Sequence, residues 1–260
     1  MDKGTLLDRV SSSGEERILL ARVLDKYEQM ERRNIPTATV FLSEAEQAAT
    51  QRLLNAAGIA GGYVFNGGYD GAARKILQFL PDWAEEDMSA LGVIKAVYRG
   101  DEAPDHRACL GSLMGLGIVR EKLGDILITP DFCQVIAAVD ILPFLLQSWT
   151  SAGRVHLVTE EISLSELVVP EQQFKIIRDT VMSLRLDAVT STGFSISRTK
   201  AAELISAGRV QLNHTECTKT DRGLSEGDVI TARGFGKCLL AEVGGLSKKG
   251  RTAIVVKRYL

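Results

Sequence analysis

The chain has 260 residues, 45% of them hydrophobic and 25% charged, with a formal net charge of −2. This leaves room for two or three compact domains, argues against wholesale disorder, and gives the chain as a whole no special partner. The distribution of charge is more informative: residues 171–260 hold 15 Lys and Arg against 9 Asp and Glu, whereas residues 1–170 hold 16 against 24, the asymmetry expected where one end meets a polyanion.

The first thirty residues read as one helix, its start capped by Ser11, Ser12 or Ser13 and its apolar stripe formed by Ile18, Leu19, Ala21, Val23 and Leu24. The run Arg32 to Pro36 breaks it. A second helix opens at Ser43, with Glu46 completing a capping-box pattern, and runs to Gly58. The passage Gly61 to Tyr69 reads as a short strand and a turn; Tyr63, Phe65 and Tyr69 fit the core better than base stacking. A helix is expected from Gly71 to Leu80, stopped by Pro81.

Residues 91–162 show a strand (Val93 to Tyr98), a helix (His106 to Leu116, closed by Gly117), two strands (Asp125 to Ile128, Phe132 to Val139), a helix (Ile141 to Ala152) and a last strand (Arg154 to Val158). That β-α-β-β-α-β order is the split pattern of a ferredoxin-like plait, a fold hosting many functions, RNA binding on its sheet face among them. The pattern resets near Val168 to Glu171. The fold expected is therefore α+β, with a mainly helical region over 1–85, a plait over 86–170 and a further domain over 171–260.

In that last part Arg185 to Val189 starts a short helix and Ser197 caps a second, whose Ala201, Ala202, Leu204 and Ile205 turn inward while Arg198 and Lys200 turn outward. Gly208 ends it. Strands follow at Val210 to Asn213, Val229 to Arg233, after the turn Gly234 to Lys237, and at Ala253 to Val256. The exposed start of a helix favours a phosphate, and Arg185, Arg198 and Lys200 add charge, arginine donating two bonds at once. Taken singly, each of these cations reads better as a solvated side chain or as a partner of Asp187 or Glu203 than as a phosphate contact.

A resemblance turns the group into a candidate site. The runs RLDAV, SISRTKAAELISAGRVQLN and EGDVITARGFGK, spread over residues 183–240, resemble the S4 RNA-binding domain in residue type and spacing. The resemblance implies an α-L-like fold that grips structured RNA through its two helices. Carried over by position, the RNA-facing residues are Arg185, Ser197, Arg198, Thr199 and Lys200, together with Arg209, Asn213 and Lys237. His214 stands where the family often has glycine, so distortion of that turn is expected.

Upstream, DHRACLGSLMGLGIVREKLGDILI and Ala152-Gly153-Arg154-Val155 resemble the YlmH-like S4 proteins of Firmicutes, and with them the resemblance covers nearly the whole chain. It implies a non-catalytic factor on the large ribosomal subunit, close to rRNA and the P-site tRNA, acting with other factors in ribosome-associated quality control of stalled nascent chains. Arg107, Arg120 and Lys122 would form a second RNA contact. The alternative is an S4-containing RNA-modifying enzyme, a pseudouridine synthase or an rRNA methyltransferase, but no stretch resembles either catalytic domain.

Other motifs carry less. Gly111 to Gly117 lacks the spacing of a nucleotide loop and reads as helix packing and exit. Leu246 to Gly250 faintly resembles the lysine loop of a tyrosyl-tRNA synthetase, without that family's partner motif. Asp105 before His106 and Arg107 reads as a helix cap. Cys109, Cys133, Cys217 and Cys238 form no CxxC pair, and His106, His156 and His214 have no second ligand at metal spacing. No cofactor or metal is expected. The N-terminus lacks a signal-peptide pattern, and Val135 to Trp149 is too short to span a bilayer. A cytoplasmic location with no membrane partner is expected.

Overall fold

In the computed structural model, which describes residues 2–86, 88–99, 103–247 and 250–260, the N-terminal region holds two helices where one is expected. Asp2 accepts from Gly4 and Thr5 N–H and starts α1 (Lys3–Val10). Extended backbone at Ser11 and Ser13 separates it from α2 (Gly14–Arg33), whose first turn Ser13 caps through Glu16 N–H. The three serines thus end one helix as well as starting the next. Asn34, left-handed at φ 52°, stops α2. Helix α3 (Glu44–Ala57) carries the expected capping box of Ser43 and Glu46 and ends at Gly58, φ 74°.

The helix expected over 71–80 does not form: residues 71–75 turn the chain and residues 76–79 are a strand. Short strands β1 (Thr37–Ala38), β2 (Tyr63–Asn66) and β3 (Ile76–Phe79) form an antiparallel sheet with β3 in the middle and wholly buried. A four-residue run of three apolar residues and Gln78 is too short to separate helix from strand by periodicity. Distant groups decide it: the Thr39 hydroxyl accepts from Leu77 N–H at 2.9 Å, and the Asp125 carboxylate accepts from Ala73 and Arg74 N–H at 2.7 and 3.0 Å.

Next come β4 (Leu91–Arg99), α4 (His106–Gly115), β5 (Leu123–Ile128), β6 (Phe132–Ala138), α5 (Leu142–Ser148), β7 (Ser151–Ala152) and β8 (Val155–Ile162). The sheet order is β5-β6-β4-β8-β7, antiparallel throughout, so the motif's first and third strands, β4 and β6, lie between its second and fourth, β5 and β8, as a plait requires. The second helix is shorter than expected, because Ser151 and Ala152 pair with His156 and Val155 in a hairpin turned at Gly153, φ 62°. One sheet face packs Ile94, Ala96 and Val135 against α4 and α5 around Trp149. The other meets the N-terminal region through Phe41, Ile76, Leu91, Val93 and Ile136. Gly124 admits that contact, since a Cβ there would lie 2.7 Å from the Phe41 ring. The helical region and the plait accordingly share one compact unit, residues 1–170.

Residues 171–260 form the other unit. It contains β9 (Phe174–Val181), α6 (Leu186–Phe194), α7 (Arg198–Ser206), β10 (Val210–Leu212), β11 (Thr215–Glu216), β12 (Val229–Ala232), β13 (Gly236–Leu246) and β14 (Thr252–Tyr259). The antiparallel sheet runs β11-β10-β12-β13-β14-β9. Leu186, Val189 and Phe194 of α6 and Leu204 and Ile205 of α7 pack on Ile230, Cys238, Leu240, Ile254 and Val256. Gly193 lets α6 approach, a Cβ there falling 2.8 Å from Cys238 Sγ. Asn213 and His214, both at positive φ (48° and 65°), form the β10–β11 turn. The turn pairs its strands regularly, Leu212 with Thr215 and Gln211 with Glu216, so the distortion expected at His214 is confined to its own backbone angle. Lys248 and Lys249 of the lysine-rich loop lie outside the described residues.

Candidate nucleic-acid interface

The expected helix starts converge on one carboxylate. Asp187, in the first turn of α6, is buried, with its side chain 7% exposed. Arg185 donates Nε and Nη2 to its two oxygens, each at 3.1 Å. Arg198, opening α7, donates Nε at 3.1 Å and Nη2 at 3.0 and 3.3 Å. Burial works against the charged carboxylate, but the bonds and charges of Arg185 and Arg198 prevail and hold its pKa below the ordinary carboxylate range. The arginines themselves stay 38% and 54% exposed. Because each turns its Nε and Nη2 edge inward, the Nη1 end faces away from Asp187. The pairing is thus a mount that fixes the direction of two guanidinium planes while leaving donors on their outer edge.

The two helix starts are not equivalent. At α6 the N–H groups of Leu186 and Asp187 donate to Arg222 and Thr220 carbonyls at 2.8 and 3.0 Å, so that end is closed by the loop before β12. At α7 Ser197 accepts from Lys200 N–H at 3.1 Å, and Arg198, Thr199 and Lys200 are exposed in the first turn. The α7 start is therefore the one that keeps the features of an anion site. Lys200 also pairs with Glu203 at 3.1 Å, both side chains more than half exposed, a contact that a polyanion displaces at little cost.

The closing loop brings in two further cations outside the S4-like candidate set, Lys219 and Arg222, both exposed. Their only signal is a basic pair in a turn; that it folds back on α6 depends on the carbonyl contacts above. The remaining candidates have mixed roles. Arg209 is exposed, with Nη2 3.5 Å from the Arg233 carbonyl. Asn213 is engaged in the turn, donating to Asp228 at 2.8 Å and accepting from Val229 N–H at 2.9 Å. Lys237 lies 5.1 Å over the Tyr259 ring, on the sheet and away from the helix starts.

The second suggested contact divides. Arg107 is exposed at the start of α4, where Asp105 caps Ala108 N–H. Lys122 is ion-paired with Asp140. Arg120 is turned inward: its Nη1 donates to the Leu123 and Gly124 carbonyls at 2.9 and 3.0 Å. Burial, together with the nearby Arg74, lowers its pKa to about 10, a shift that still leaves it charged at neutral pH. Its guanidinium completes the backbone hydrogen bonding of a tight segment, and it drops out as a surface contact. Arg74 does the same for Leu123, Phe41 and Arg120 carbonyls. The plait face that can take RNA in other proteins is partly covered here by the N-terminal region, and over its open part Lys95 is paired with Glu160 at 2.8 Å. Among the described residues no group of three or more His, Cys, Asp and Glu is placed to hold a metal, and no helix is long and apolar enough to cross a membrane.

Comparison with known proteins finds two matching families. Residues 102–166 match the family described as "Putative RNA-binding domain in YlmH", and residues 184–230 match the S4 domain. Over 223 residues the chain is 35% identical to ribosome-associated protein quality control protein P2 of Bacillus subtilis, covering 85% of this chain and 86% of that one. The chain belongs to the YlmH-like family of S4-domain proteins. In this YlmH-like chain the matched S4 segment holds α6, α7 and the Asp187 mount. The solved structure of cell division protein ylmH from Streptococcus pneumoniae shares the fold, with a TM-score of 0.52 at 20% identity over 61% of this chain and 97% of that one.

Proposed function

We propose that this chain is a non-catalytic RNA-binding factor of the large ribosomal subunit. It uses the α6–α7 face to hold structured rRNA and the P-site tRNA, and it acts with other quality-control factors on stalled nascent chains. The observation that carries the reading is the Asp187 mount: two guanidiniums held at 3.0–3.3 Å on one buried carboxylate, with Lys219 and Arg222 on the adjoining loop. Fixed planar forks suit phosphate oxygens spaced along a folded RNA. The name of the Bacillus subtilis relative, which places that protein on the ribosome and in quality control, supplies the setting. Arg198, Thr199 and Lys200 meet phosphate first, Arg185, Lys219 and Arg222 extend the track, and Arg209 lies at its margin. Arg107 is the residue of the first unit proposed to touch RNA.

The test is sedimentation of the tagged chain through a sucrose gradient, with crosslinked RNA sequenced from each fraction. Co-migration with large subunits, with crosslinks to large-subunit rRNA and tRNA, is the expected result. Protein confined to the free pool, or crosslinks to mRNA alone, overturns the ribosomal assignment.

A further inference from the structure

The second unit has a further surface on the sheet face turned away from its helices. Helices α6 and α7 cover one face of its sheet, the face of Ile254 and Val256. Side chains alternate along a strand, so the opposite face carries the alternate residues of the outer pair β9 and β14. There Phe174 lies opposite Tyr259 and Ile176 opposite Lys257, with Arg178 one step on. The Phe174 and Tyr259 rings meet edge to face at 4.9 Å. Lys237 Nζ, from β13, lies 5.1 Å from the Tyr259 ring, and Lys257 Nζ lies 5.8 Å from the Phe174 ring. Phe174 is 37% exposed and Ile176 is 50% exposed. Against the three cations Arg178, Lys237 and Lys257, the same side presents Glu242, opposite Val255. Phe174, Ile176, Lys257 and Tyr259 all lie outside residues 184–230, the segment matched to the S4 domain.

We propose that this face is a second RNA site, specific for unpaired nucleotides, with bases on Phe174 and Tyr259 and phosphates at Lys237, Lys257 and Arg178. The exposed Phe174 ring and the half-buried Tyr259 ring beside it offer π-surface that every base can use, and cations beside them track a backbone. A duplex hides its bases and leaves the rings without a partner, so it gains only the charges. Carboxylates of an acidic peptide would satisfy the lysines but cannot stack on the Phe174 and Tyr259 rings. The site is independent of the α6–α7 face, which takes structured RNA by its phosphates. Together the two faces fit a junction where a folded RNA meets a single strand.

The test uses the full chain and two fluorescent probes, a 12-nucleotide oligouridine and a blunt 16-base-pair RNA duplex, read by anisotropy. Replacing both rings (F174A/Y259A) is expected to weaken oligouridine binding by about tenfold per ring and to leave duplex affinity within twofold. F174L/Y259L, which keeps the apolar bulk, should behave the same way. Independently of any variant, oligouridine carrying 4-thiouridine should crosslink on the wild-type chain to residues 174–178 and 257–259. The proposal is overturned by unchanged oligouridine affinity in the leucine variant, by equal loss for both probes, or by crosslinks confined to residues 185–222. It is also overturned if concentration-dependent dimerisation by sedimentation velocity disappears in F174L/Y259L, since the face is then a self-association surface. Loss of oligouridine binding with duplex binding intact leaves the α6–α7 reading standing, whereas R185A/R198A should lower duplex affinity and spare the thiouridine crosslinks.

Discussion

Replacing Arg198 by alanine separates a phosphate contact from a structural one, because the two leave different marks on salt dependence. Arg198 gives Nε and Nη2 to Asp187 and remains 54% exposed. If its outer edge meets a phosphate, the substitution lowers the slope of log K against log salt by about 0.7 for a single strand to 0.9 for a duplex. Over the fourfold change from 50 to 200 mM salt, the deficit of the variant then shrinks by roughly threefold. The fold cost is separate. Arg185 still holds Asp187 through two bonds of 3.1 Å, and solvent screens the lost partner, so stability falls by only about 1–2 kcal/mol. In a unit of this size that is a lowering of Tm of roughly 4–16 °C. The assay is filter binding of a structured rRNA fragment from 50 to 200 mM salt, with melting followed in parallel. Asp187→Asn is the control: it loosens both arginines and keeps both charges, so affinity falls while the slope stays at the wild-type value. A wild-type slope in Arg198→Ala, or equal slope changes in the two variants, refutes the phosphate assignment.

Acid acts on the same mount. The folded pKa of Asp187 lies below its unfolded value of about 3.9, so its stabilisation is complete above that value and lost as pH falls through the folded pKa. The Tm difference between wild type and Asp187→Asn should therefore narrow as pH is lowered from about 5 to 3, and a constant difference contradicts the pairing. In the first unit, Asp125→Ala removes the acceptor of Ala73 N–H, Arg74 N–H and the Tyr69 hydroxyl, at 2.7, 3.0 and 2.8 Å. A loss of about 2–4 kcal/mol is expected, with hydrogen exchange at 69–77 rising before exchange in β4. Gly193→Ala sets a methyl 2.8 Å from Cys238 Sγ and 3.2 Å from Val256 Cγ1. The overpacking of about 1–3 kcal/mol should be largely relieved in G193A/C238A; no recovery in that double variant means that the backbone, not the side-chain contact, sets the cost.

Where a local rule settles conformation, the residues were legible. Ser43 with Glu46, and Ser197 before Arg198, announce helices that form where expected, because a cap needs only the next few backbone groups. The plait order was also legible, since its strands β4, β5, β6 and β8 run six to nine residues between turn signals, although α5 is only seven residues long. Residues 71–80 were not. Their strand depends on Thr39 and Asp125, dozens of positions away, and a four-residue segment carries no period of its own. Strand β9 escaped notice for a related reason: as an edge strand its Phe174, Lys175 and Ile176 are all exposed, so it lacks the buried alternation that marks a strand.

The same division runs through the candidate site. From the sequence alone came the basic C-terminal third, the S4-like spacing, and the naming of Arg185, Arg198 and Lys200. Pairing with Asp187 stood there as the alternative to RNA contact. Only the tertiary structure shows how the two fit together: a buried carboxylate binds one edge of each guanidinium and leaves the other edge outward. It also turned the Arg120 guanidinium onto backbone carbonyls and brought the loop of Lys219 and Arg222 to the start of α6. Charge and helix period are properties of neighbouring residues, and a chain displays them without folding. Which edge of an arginine meets solvent depends on groups from separate segments meeting at hydrogen-bond distance, and that is decided only when the core between them closes.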